Sequence, residues 1–171
     1  VFRLYAVIGG MPRSVQAYLD NGFDLGAARQ TQENLVALYR EDMVKHAGDR
    51  ALQVKAIYDS IPAQLGKENK RFIFKQIRVE AKFERYANDF AWLVGACAAL
   101  KATCVADPRP MLERSEENNR FKLYFSDAGM LMSQYKTDVA LAALAGERSV
   151  NFGGVYENVV AQELAAWGVP L

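Results

Sequence analysis

Apolar positions recur along this chain at helical spacing over most of its length, and switch to strict alternation in one short stretch near the middle. The opening residues, Val1-Phe2-Arg3-Leu4-Tyr5-Ala6-Val7-Ile8, are apolar apart from Arg3. Gly9-Gly10-Met11 then breaks the pattern, and Pro12 suits the first turn of a short helix through Leu19, where its missing N–H costs nothing. Asp24 is placed as an N-cap for Leu25, Ala28, Gln32, Leu35, Tyr39 and Met43, which keep helical spacing to about His46 and stop at Gly48. Val54, Ile57, Tyr58, Ile61 and Leu65 predict a further helix, bending or ending before Pro62.

Phe72-Ile73-Phe74 reads as a short strand, and residues 79–100 as the longest helix, apolar nearly all round from Phe90 onward. Two strands follow at 102–106 and 120–125, the second alternating Phe121, Leu123 and Phe125 with Lys122 and Tyr124. The polar, proline-bearing stretch 107–119 between them suits a hairpin loop. Asp127 caps a helix carrying Met130 and Leu131, and an Ala-rich helix runs from about 137 to 144. A last helix follows Gly153-Gly154, with Tyr156, Val159, Val160, Leu164 and Trp167 assigned to its buried face and Gly168 ending it. Helix, short strand, helix, strand, loop, strand is the layout of a winged helix-turn-helix. The expected fold is therefore mainly α, a winged helix-turn-helix with a small two- to three-stranded sheet, flanked by additional helices. Three segments are expected: a helical 1–48, a winged-helix 49–127, and a helical 128–171.

Composition adds limits. The chain has 171 residues, 51% of them hydrophobic and 24% charged, which is the make-up of a water-soluble folded domain. No apolar run of membrane-spanning length occurs, so no membrane partner is expected, and two cysteines, Cys97 and Cys104, are too few for a disulfide framework. Both are read as small core residues of a cytoplasmic protein. The ends fall inside helix-like or apolar segments, which suggests a piece of something longer.

Candidate chemistry is sparse. Gly66-Lys67 lacks the first glycine and the following Ser or Thr of a phosphate loop, so no ATP binding is expected of these residues and no cofactor is assigned to them. His46 is the only histidine, which removes Ser-His-Asp and multi-histidine metal chemistry, and no metal site is expected. The net charge of +1 gives no overall pull toward nucleic acid. Locally the picture differs. Lys67, Lys70, Arg71, Lys75, Arg78, Lys82 and Arg85 face only Glu68, Glu80 and Glu84 across the approach to the long helix. Those seven cations are the nucleic-acid-binding candidates, since phosphate contacts need such a cluster. The hairpin loop opposes this with Glu113, Glu116 and Glu117 against Arg109 and Arg114, which keeps a protein partner open as the alternative to DNA.

The blocks YAVIGGMPRSVQAYL, QENLVALYREDMVKHA, SIPAQLGKENKRFIF, FKLYFSDAGML and GGVYENVVAQELAAWG, in this order, resemble the C-terminal region of a large bacterial and archaeal family of predicted AAA-type ATPases. The resemblance implies a preceding ATPase domain, which would bind ATP and Mg and act as a partner of this chain. Gly10, Met11 and Pro12 match a Gly-x-Pro that in related ATPases approaches the nucleotide, which makes them nucleotide-sensing candidates. Glu157 matches a position on the first helix of a PD-(D/E)xK nuclease-like fold. The strands that would complete such a site are absent here, so Glu157 is not expected to be catalytic. The implied role is a non-catalytic regulatory or interaction module, with a truncated nuclease remnant or a protein-binding connector as alternatives.

Overall fold

A computed structural model of the chain describes residues 1–69, 71–74, 77, 83–106, 116–147 and 151–171, with the backbone alone at 116–118. The fold is mainly helical with a small antiparallel sheet. The apolar opening forms α1 (Phe2–Ile8), and α2 (Pro12–Asp20) starts at the proline. In α3 (Leu25–His46) the Asp24 carboxylate accepts the N–H groups of Gly26 and Ala27, which satisfies two of the orphan donors of a helix start. A single 3-10 turn (Gly48–Arg50) leads into α4 (Ala51–Leu65), whose Val54, Ile57, Tyr58, Ile61 and Leu65 are all buried. Helix α4 neither ends nor stops short at Pro62. The proline costs the helix one backbone bond, and burial of four large side chains around it, each stabilising by roughly 1.5–3 kcal/mol, outweighs that loss.

The expected long helix is the clearest departure. Residues 79–82 lie outside the described ones; helix α5 covers Phe83–Gly95, and Ala99 and Leu100 already belong to strand β1 (Ala99–Val105). The Ala98 N–H reaches back to Leu93 O at 2.9 Å and the Cys97 N–H to Val94 O at 3.0 Å, with Cys97 at φ 52. That is the double bond of a Schellman end, made here without a glycine at the left-handed position. An apolar run cannot distinguish a buried helix from a buried strand, and tertiary pairing chose the strand for its last part. Cys97 sits on this exposed turn, so it is not a core residue. Cys104 on β1 is half-buried.

Strand β2 (Glu116–Phe125) pairs antiparallel with β1, Ala99 opposite Phe125 and Ala102 opposite Lys122, with a bulge between Thr103 and Cys104. Among the described residues Phe72–Phe74 is not a strand. It makes one ladder-like bond, Phe72 N–H to Phe121 O at 2.9 Å. Its rings instead join Phe83, Phe90 and Phe121 in a cluster with centroids 5.0 to 6.3 Å apart.

Asp127 caps α6 (Ala128–Met132), and α7 (Thr137–Ala145) ends at Gly146 in the left-handed conformation. Helix α8 (Gly153–Ala166) buries a different face from the one its hydrophobicity selects. Val155, Asn158, Val159 and Ala161 point inward with Gly154, while Tyr156, Val160, Leu164 and Trp167 are exposed. Two contacts set this orientation. A side chain at Gly154 would meet Leu65 O at 2.4 Å, so the helix crosses the end of α4 backbone to backbone. Asn158 then pairs its amide with both the N–H and the C=O of Phe125, at 2.8 and 3.0 Å. The core formed by these elements is one contiguous cluster drawing on α1, α3 to α8 and both strands.

Candidate nucleic-acid interface

The alternation in β2 turns Phe121, Leu123 and Phe125 into the core. Side chains alternate across a strand, so Arg120, Lys122 and Tyr124 face the other way, beside Ala102 and Cys104 of β1. With Asn69 and Arg71 they line an open cleft of about 460 Å³. Arg71 is brought there by local bonding. Its N–H donates to Asn69 Oδ1 at 3.1 Å, its guanidinium reaches Asn119 O at 3.5 Å, and the next residue, Phe72, stacks on Phe121 at 5.4 Å. Gln64 completes the anchor by accepting the Ile73 N–H at 2.6 Å.

Of the seven predicted cations, Arg71 lines this cleft. Lys67 is half-buried just past the end of α4, and Arg85 is exposed in the first turn of α5, where its carbonyl accepts from Arg50. Lys70, Lys75, Arg78 and Lys82 lie outside the described residues. Sequence reasoning missed Arg120 and Lys122 as a pair. The same alternation that predicts β2 puts them two apart on its outer face, and that was the available signal.

Glu157 of α8 acts as a structural latch on two residues of the cleft, Lys122 and Tyr124. It accepts from Lys122 Nζ at 2.8 Å and from the Tyr124 hydroxyl at 3.2 Å, tying α8 to β2. Burial, and then the Glu157 charge, push the Tyr124 phenol well above its usual range, so it stays a donor to the carboxylate. Among the described residues no group of three His, Cys, Asp or Glu side chains is placed to hold a metal ion. Nor is any described helix long and apolar enough to cross a membrane.

Gly10, Met11 and Pro12 form a second, separate place. Gly9 has φ +76, and a side chain there would lie 2.2 Å from Asp127 Oδ1. This close approach lets the Gly10 N–H donate to Asp127 Oδ2 at 2.7 Å while Oδ1 accepts the Met130 N–H at 2.9 Å. Gln162 of α8 donates to the Tyr5 hydroxyl at 2.8 Å and accepts the Ala128 N–H at 2.8 Å. Gln32 of α3 donates to Val7 O and Ile8 O, capping the end of α1. Five helices thus meet at the turn between α1 and α2. Burial raises the Asp127 carboxyl above its ordinary range, and backbone N–H donors from Gly10, Met130, Gly129 and Met11 work against that rise.

A family model described as Domain of unknown function (DUF8612) matches residues 1–140. The chain belongs to the DUF8612 family. The DUF8612 match takes in α1 through α6, both strands, the basic cleft's residues and the Gly10–Asp127 junction, and ends within α7. No curated protein and no solved structure matches the chain.

Proposed function

We propose that this DUF8612 chain is a non-catalytic regulatory and interaction module of winged helix-turn-helix type, which holds DNA by its phosphates and couples that contact to an AAA-type ATPase. The observation that carries the DNA contact is the convergence of Arg71, Arg120 and Lys122 on one cleft of the hairpin's outer face. Cations on a strand and an adjoining turn offer contacts to phosphate oxygens, and such contacts position a duplex without reading its bases. The winged-helix reading draws support from the order α4, α5, β1, β2 and from the backbone bond between Phe72 and Phe121.

The coupling draws support from the Gly10–Pro12 turn. It is bonded through Asp127 to α6, so a displacement at α1–α2 is passed to the element that follows β2. The ATPase would supply the ATP and Mg, and this chain supplies no phosphate loop. A reducing cytoplasm suits both cysteines, which are free.

Fluorescence anisotropy with a labelled duplex tests the contact. Binding should weaken by about 0.9 log units per phosphate contact for each log unit of salt, alike for unrelated sequences. Arg71→Glu with Arg120→Glu should abolish it. Absence of wild-type binding at low salt would end the DNA reading, leaving the protein-binding connector.

A further inference from the structure

Helix α8 is apolar on two sides. Its inner side is filled by Val155, Val159 and Ala161. Its outer side carries Tyr156, Val160, Leu164 and Trp167 at i, i+4, i+8 and i+11, a single stripe along the helix, with Val160 56% and Trp167 83% exposed. The only charged residues of the helix, Glu157 and Glu163, are already engaged, the first by Lys122 and Tyr124 and the second by the Tyr5 hydroxyl. A surface helix ordinarily turns charge outward, and one that is apolar all round belongs in an interior. The stripe is extended by Phe2, whose ring lies 5.5 Å from Tyr156, and deepened by a groove of about 380 Å³ between Val160, Leu164 and Leu171.

We propose that the outer face of α8 is a homodimer interface, in which α8 pairs antiparallel, across a two-fold axis, with α8 of a second copy of this chain. Two observations favour a second copy as the occupant. A two-fold interface must be complementary to itself, and the stripe reads aromatic, aliphatic, aliphatic, aromatic from either end. An antiparallel pairing about its centre sets Tyr156 against the second Trp167, and Val160 against the second Leu164. Area is the second. Phe2, Tyr156, Val160, Leu164, Trp167 and Val169 together expose about 600 Å², the upper end for one apolar patch on a monomer. Covering it on both copies removes about 1,200 Å², which reaches the range of specific, stable interfaces.

Sedimentation velocity of the 171-residue chain over a concentration series up to about 100 µM tests this. The expected result is a reversible dimer in the micromolar range or tighter. Val160→Glu and Leu164→Lys, each at a position already facing solvent, should each weaken dimerisation at least about ten-fold. Mixing the two variants should restore a dimer, because the antiparallel pairing sets these positions opposite each other. That rescue also shows that both variants are folded. A wild-type chain that stays monomeric throughout, a Val160→Glu variant that dimerises as before, or a mixture that stays monomeric would each overturn the proposal. The first outcome would mean that another partner covers the stripe.

Discussion

The Asp127 carboxylate lies between the Gly10 N–H and the Met130 N–H, accepting one on each oxygen, at 2.7 and 2.9 Å. One buried side chain therefore caps α6 and holds the turn between α1 and α2. Gly9 makes this possible, and Gly9→Ala should destabilise the chain by about 2 kcal/mol or more, from left-handed backbone strain and the clash with Asp127. Urea unfolding at neutral pH measures it. A loss below about 0.5 kcal/mol would mean that the turn is not held as described.

The same carboxyl predicts a pH dependence. Its folded pKa is raised above the ordinary 3.8, so the folded chain holds this proton better than the unfolded one. The favourable contribution is then present at low pH, shrinks as pH rises from about 4 through the folded pKa, and is constant above it. Asp127→Asn removes the titration. The stability of wild type minus that of the variant should decrease across this window, and a difference that rises with pH would contradict the raised pKa.

Asp89 is 2% exposed and is gripped by the Arg50 guanidinium, with Nε at 3.0 Å, while the same guanidinium lies 5.5 Å over the Tyr86 ring. Arg50→Ala leaves a buried carboxylate without its cation and should cost about 2 kcal/mol, less than a fully buried pair because Arg50 is half exposed. Adding Asp89→Asn should recover part of that loss. Additive effects in this double-mutant cycle would show that the two groups do not interact.

Tyr58 is fully buried against Phe125, at 4.6 Å between ring centroids, and its hydroxyl has no hydrogen-bond partner among the described residues. A buried hydroxyl without a partner costs about 1–3 kcal/mol. Tyr58→Phe should therefore leave stability unchanged or raise it by about 1 kcal/mol. A midpoint shift to lower urea would reveal a bond that the hydroxyl does make.

Lys122 and Glu157 are each more than a third exposed, so their ion pair contributes no more than about 1 kcal/mol. Glu157→Gln should lower stability by less than that and keep the helical circular dichroism unchanged. Titration with Mg or Mn should give no binding difference between Glu157→Gln and wild type. Metal binding lost in the variant would return Glu157 to the nuclease reading.

Local chemistry made much of the fold legible. Asp24 and Asp127 cap helices because a short carboxylate suits free N–H groups, and Pro12 opens α2 because a first-turn residue needs no donor. Alternation from Arg120 to Phe125 specifies a strand with a cationic outer face, because the period of two admits no other division of those side chains. The convergence of Arg71 with Arg120 and Lys122 was not legible, because they come from separate segments that meet only when Phe72 stacks on Phe121. The boundary between α5 and β1 was hidden for another reason. From Phe90 to Leu100 the residues are apolar in either conformation, and the choice fell to the backbone partners that β2 offers Ala99 and Leu100. The buried face of α8 was decided in the same way. Hydrophobicity points to Tyr156, Val159, Val160, Leu164 and Trp167, of which Val159 alone is buried, because the approach to Leu65 admits only Gly154 and the end of β2 needs the amide of Asn158. Burial follows close packing and hydrogen-bond satisfaction as well as apolar area, and those two depend on neighbours distant in the chain.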